Sequence, residues 1–133
     1  MEWLIWEVPP KYDILCTNTP GVISIKVPID RNTKHYRTLK VRTPCLELLQ
    51  CIYNFYNSYL RVEDIEEIAS WENDEYQETV LNNFYHGIGV KWLHLLGAPY
   101  YCFVDGQRTC CGMVKFAGIV KIYDNHYKLN LTT

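Results

Sequence analysis

Between residues 45 and 59, apolar side chains fall at Cys45, Leu48, Leu49, Ile52, Phe55, Tyr56 and Tyr59. This i, i+3, i+4, i+7 rhythm predicts a helix with one buried face. Thr43 suits the cap, and Pro44 suits the first helical position, where its missing N–H would be unpaired anyway. The large side chains of the seam make this the expected central helix. Upstream the period changes to two. Ile23, Ile25, Val27 and Ile29 alternate with Ser24, Lys26 and Pro28, which predicts a strand with one buried face. Asp30-Arg31-Asn32-Thr33 reads as a turn, and residues 36–42 return as a second strand with Leu39 and Val41 on one face.

Residues 3–6 read as a short strand, stopped by Pro9-Pro10. After the central helix, Val62, Ile65, Ile68 and Ala69 keep a helical spacing over 62–70, and a further helix is expected over about 74–85. This region holds Glu63, Asp64, Glu66, Glu67, Glu72, Asp74, Glu75 and Glu78, eight of the 15 acidic residues. It reads as a solvated acidic face or a docking surface for a basic partner. Gly87 is a C-cap candidate, and Trp92, Leu93, Leu95 and Leu96 form a short apolar segment closed by Gly97. Beyond it the texture is β. Residues 100–104 reach a hairpin turn at Asp105-Gly106, with 110–116 as the expected partner. Residues 119–123 and 126–131 are joined by Asp124-Asn125. Helices segregated from antiparallel strands predict an α+β class. The expected architecture is a β-hairpin, a central helix and short acidic helices packed on a C-terminal antiparallel β-meander, in one domain over 1–133.

The 133 residues include 48% hydrophobic positions and a formal net charge of -2, which points to a folded globule and away from a general electrostatic grip on nucleic acid. Basic residues look scattered relative to the aromatics, so no nucleic acid is expected as a partner. The apolar runs are too short for a membrane span. The start Met1-Glu2-Trp3-Leu4 lacks the basic region of a secretory signal. Six cysteines in such a chain are expected to be reduced, in the cytoplasm or the nucleus. Cys102, Cys110 and His126 match none of the usual zinc spacings, so no metal is expected. His86, His94 and Cys102 are irregularly spaced, and His94 reads as a core histidine. No P-loop, dinucleotide fingerprint or metalloprotease motif occurs, so no cofactor is expected.

One pairing carries possible chemistry. Cys45 stands at the predicted head of the central helix, where the dipole favours a thiolate. His126 opens a strand on whose polar face Lys128 and Asn130 follow, while Tyr127, Leu129 and Leu131 face the other way. A thiol and an imidazole within reach of each other would form a nucleophile and general base.

The hairpin leading into Cys45-Leu46-Glu47-Leu48-Leu49-Gln50 resembles the papain-like leader proteases of picornaviruses. So do Cys102-Phe103-Val104-Asp105-Gly106, Cys111 and Ala117-Gly118-Ile119 ahead of His126. The resemblance implies a papain-like scaffold with Cys45 as nucleophile and His126 as general base. The chain departs from that family where Leu46 stands in place of a tryptophan and Lys40-Val41-Arg42 in place of an asparagine. A second set is similar in order to geminivirus replication enhancer proteins: Ile5-Trp6-Glu7-Val8-Pro9, Ile23-Ser24-Ile25-Lys26-Val27 and Leu60-Arg61-Val62-Glu63-Asp64-Ile65. That likeness implies a non-enzymatic partner of a replication initiator. Eleven tyrosines and four tryptophans suit a protein-binding surface. The expected function is that of a small viral accessory or host-interaction protein that binds a cellular protein, with an active cysteine protease as the alternative.

Overall fold

The alternation of the first apolar segment becomes two eight-residue strands, β1 (Gly21–Pro28) and β2 (Tyr36–Thr43), paired antiparallel. Ile23, Ile25 and Val27 are buried, while Val22 and Lys26 face out. The computed structural model describes residues 2–10, 21–43, 48–72, 76–97, 101–110 and 112–133; at 43, 101–104 and 108–110 it describes the backbone alone. The turn between β1 and β2 is built on Asp30, which is 1% exposed. Its carboxylate accepts the backbone N–H groups of His35 at 2.7 Å and Lys34 at 3.2 Å, and its carbonyl accepts that of Thr33. A short side chain that folds back on its own backbone is why Asp favours such turns.

The predicted central helix is α1 (Leu48–Tyr56), with Leu48, Leu49, Ile52 and Tyr56 buried. Residues 44–47 lie outside the described set, including Pro44, the expected first helical position, and Cys45 of the expected first turn. The helix stops before Tyr59. Asn57 Nδ2 donates to the Tyr53 carbonyl and Ser58 Oγ to that of Phe55, each beside the backbone N–H of the same residue, so side chains compete for the last helical carbonyls. Tyr59 leaves the seam, is 62% exposed and bridges Lys91 instead. The Tyr56 hydroxyl donates to the Pro28 carbonyl at 2.7 Å, tying α1 to the end of β1. Burial pushes that phenol well above its ordinary pKa, so it stays a neutral donor.

Two further helices follow, α2 (Val62–Ala69) and α3 (Gln77–Tyr85). Asp64 accepts the Arg61 N–H at the start of α2. Gln77 Nε2 donates to the carbonyls of Ile68 and Trp71 at its end. A bidentate contact fastens α2 to the sheet. Arg37 of β2 grips Glu67 with both terminal nitrogens, lies 3.9 Å from Asp64 and covers the Trp92 ring. The hydrogen bonds from Arg37 hold the Glu67 carboxyl below its ordinary 4.5. A depressed carboxyl pKa contributes stability that is present above the unfolded value and is lost as pH falls through the folded one. Unfolding midpoints should therefore decline below about pH 4.5, and Glu67→Gln should flatten that part of the profile. Because the pair is partly exposed, Arg37→Met should cost only about 1 kcal/mol at pH 7. A profile unchanged by Glu67→Gln would mean that the pair contributes nothing.

Trp92–Leu96 forms a 3₁₀ segment with four buried apolar residues, closed by Gly97 at φ 90°. A Cβ there would meet the Tyr76 ring at 2.6 Å, so both backbone angle and space require glycine. The hairpin β3 (Tyr101–Val104) and β4 (Gln107–Cys110) turns at Asp105-Gly106, both at positive φ, which is the signature of a tight primed turn. The expected partner over 110–116 is therefore displaced. A two-residue turn starts the return strand at Gln107, and Met113 instead donates to the Leu96 carbonyl. Residues 3–6 also differ from expectation. Leu4 alone bridges Lys115, while Trp3 and Ile5 sink into the core.

β5 (Lys115–Tyr123) and β6 (His126–Thr132) pair antiparallel across Asp124-Asn125, with Asn125 at φ 60°. β6 then lies parallel to β1, joining the two ends of the chain. The result is a four-stranded mixed sheet in the order β2-β1-β6-β5, with β3-β4 as a separate two-stranded ribbon. The α+β class holds, and the C-terminal strands form two hairpins, of which only the second joins β1. Ile23, Ile25, Val27, Leu129 and Leu131 share one core with Leu48, Leu49, Ile52, Ile65, Ile68 and Val80 of the helices.

Candidate binding face on the outer side of the sheet

Strand pairing decides which polar residues become neighbours. Residues in register share a face, and alternate positions along each strand do the same. The core takes Ile23, Ile25, Val27 and their partners. The outer face therefore carries Ser24 and Lys26 of β1; Tyr36, Thr38, Lys40 and Arg42 of β2; and His126 and Lys128 of β6. One row runs Thr38, Lys26, Lys128 and Val120; the next runs Lys40, Ser24, His126 and Tyr123. Lys26, Lys40 and Arg42 are exposed. So are Tyr123 at 61% and Val22, Val120 and Ile122 at about half.

Lys26 and Lys128 stand opposite each other in register. Their ammonium groups lie 4.7 and 5.2 Å from the centroid of one ring, that of Tyr36. Like charges opposite each other on one face weaken a sheet. Cation–π contact offsets part of that cost. Among the described residues no carboxylate pairs with either lysine, and no residue of the four strands is Asp or Glu. Among the described residues none of Lys26, Lys40, Arg42 and Lys128 stands in an ion pair. The helices are the reverse case: α1, α2 and α3 contain no Lys or Arg, while Glu63, Glu66 and Glu78 project from them, exposed. The molecule is electrically two-sided.

His126 lies in this face, its ring 4.2 Å from that of Tyr123. A depression of about 600 Å³ is lined by Ser24, Lys26, Thr38, Lys40, Tyr123 and His126 among others. The neighbours of His126 there are hydroxyls, ammonium groups and rings, and none is a thiol among the described residues. Cys45 lies outside the described residues, so His126 is the member of the expected pair whose surroundings are known. Its strand bears out the polar-face reading, with Leu129 and Leu131 buried on the other side.

His94 is half-buried, and its Nδ1 accepts the Lys91 N–H at 3.0 Å. Burial, helped by the charge of Lys91, lowers its pKa, so the neutral ring serves as a local cap. His86 Nδ1 lies 2.7 Å from the Asn82 carbonyl. Among the described residues no three His, Cys, Asp or Glu side chains are grouped to hold a metal ion, and no helix is long and apolar enough to cross a membrane.

The face is legible in the sequence only in part. The period-two pattern places Ser24 with Lys26, and His126 with Lys128. Nothing in it says that β1 and β6, a hundred residues apart, are neighbours. Comparison of the chain with protein-family models, curated proteins and solved structures gives no match.

Proposed function

We propose that this chain acts by recognition rather than by catalysis, and that its contact surface is the outer, basic face of the sheet, which receives an anionic macromolecule. The observation that supports this most is the opposed pair Lys26 and Lys128, held over one tyrosine with no carboxylate on any strand of the sheet. A local arrangement that weakens the fold and is offset only in part within it is expected where a ligand supplies the missing charge. Complementary potentials of this kind govern partner choice and encounter rate.

Heparin, a soluble polyanion, provides the test. The protein should be retained on immobilised heparin at low salt. Lys26→Glu with Lys128→Glu should elute at a salt concentration lower by roughly 100 mM, since each lost cation reduces the counterions released on binding. Arg61→Glu with Lys91→Glu changes the net charge equally, at the starts of α2 and of the 3₁₀ segment in the helical layer, and should elute close to the wild type. Equal shifts for both double variants would mean that net charge alone is read and that the face has no special role.

A further inference from the structure

We infer that the anionic ligand of the sheet face is a single-stranded nucleic acid, its phosphates taken by Lys26, Lys128 and Lys40 and a base stacked on Tyr123. This rests on the reading of that face as an anion-recognition surface and names its ligand. It departs from the expectation raised by the net charge of -2. That sum averages an acidic helical layer with a sheet that carries no acid, and a ligand meets only one of them.

The chemistry of the face discriminates between classes of polyanion. Lys26 and Lys128 lie side by side on adjacent strands, about 4.8 Å apart in the hydrogen-bonding direction. Lys40 lies one row away on β2. Three compact ammonium charges suit phosphate oxygens approached from several directions. Arg42, exposed on the same face, offers a planar fork that suits phosphate and carboxylate alike, so the rings decide between the two. Between and beside the cations stand rings. Tyr123 is 61% exposed, and its ring lies 4.2 Å from that of His126. Val120 and Ile122 lie close by with half their surface in solvent. An open sheet bearing an exposed ring, that of Tyr123, among cations matches unstacked bases, which offer flat faces to aromatic side chains. A duplex hides those faces within its own stack and would find only the lysines.

The experiment measures fluorescence anisotropy of a labelled ten-nucleotide oligo(dT) and oligo(U) at 50 mM salt. Parallel titrations use a ten-base-pair duplex and a glutamate-rich peptide of ten residues. The expected dissociation constant for the single strands is on the order of 10 µM, with a log–log salt slope near -2 for three neutralised phosphates. Lys26→Gln or Lys128→Gln should each weaken binding roughly fivefold to tenfold and reduce the slope by about 0.7. Tyr123→Ala should weaken it about tenfold at unchanged slope, while Tyr123→Phe retains it. The side chains of Lys26 and Tyr123 are exposed, and circular dichroism with a melting curve no lower than that of the wild type verifies that these variants fold.

Failure of the oligonucleotides to bind overturns the inference. If heparin retention still depends on Lys26 and Lys128 in that case, the face remains an anion site and only the ligand class is wrong. Peptide binding tighter than oligonucleotide binding, insensitive to Tyr123→Ala, overturns it in favour of an acidic protein partner. Duplex binding as tight as single-strand binding overturns the stacking role. Loss of both heparin and oligonucleotide binding removes the recognition reading as well.

Discussion

Asp30→Ala is expected to destabilise the protein by about 2–3 kcal/mol, because it removes a buried carboxylate that accepts two backbone N–H groups. The carboxylate is 1% exposed and accepts from both Lys34 and His35. The effect extends beyond the turn. The His35 ring is stacked on Trp71 at 4.3 Å, just past the end of α2, so a loosened turn also loosens the junction between hairpin and helix. Asn at the same position keeps one acceptor and should recover about half of the loss. Thermal unfolding followed by circular dichroism reads the difference as a drop of roughly 10 °C for the alanine variant. An alanine variant that melts with the wild type would show that the carboxylate does not hold the turn.

Tyr56→Ala should be more damaging, at about 4 kcal/mol, since it removes a fully buried ring and leaves a cavity. Tyr56 is 0% exposed, and its ring stands edge-on to Phe55, which in turn stacks on Trp92. Tyr56→Phe retains the ring and loses only the hydrogen bond to Pro28, which should cost about 1 kcal/mol. Urea midpoints separate the two substitutions. A phenylalanine variant as unstable as the alanine one would place the stabilisation in the hydroxyl and not in the packing. Pro28 is in register with Tyr36. The Tyr56 hydroxyl thus anchors the strand end at which the Tyr36 ring receives Lys26 and Lys128.

The hairpin was legible because two signals agreed. Alternation at Ile23, Ile25 and Val27 set the buried face, and Asp30 to Thr33 supplied turn chemistry between the strands. The helices were legible from their seams. Tyr59 was not, because periodicity continues past the point where Asn57 and Ser58 compete for the helical carbonyls. The return strand after Asp105-Gly106 starts earlier than expected, at Gln107, because the turn has two residues; Val114 serves the core beside Ile5 and not the ribbon. The sheet face escaped for a deeper reason. Register within a hairpin is local, whereas the parallel contact of β1 with β6 is set by tertiary packing. Until that contact is known, Lys26 and Lys128 are two lysines far apart in a chain of nearly neutral charge.

The most direct test is a map of backbone amide chemical shifts during titration with oligo(dT). The account predicts that the largest changes fall on Ser24, Lys26, Thr38, Lys40, Tyr123, His126 and Lys128, with α2 and α3 silent. Changes concentrated on Glu63, Glu66 and Glu78, or spread evenly over the molecule, would contradict it.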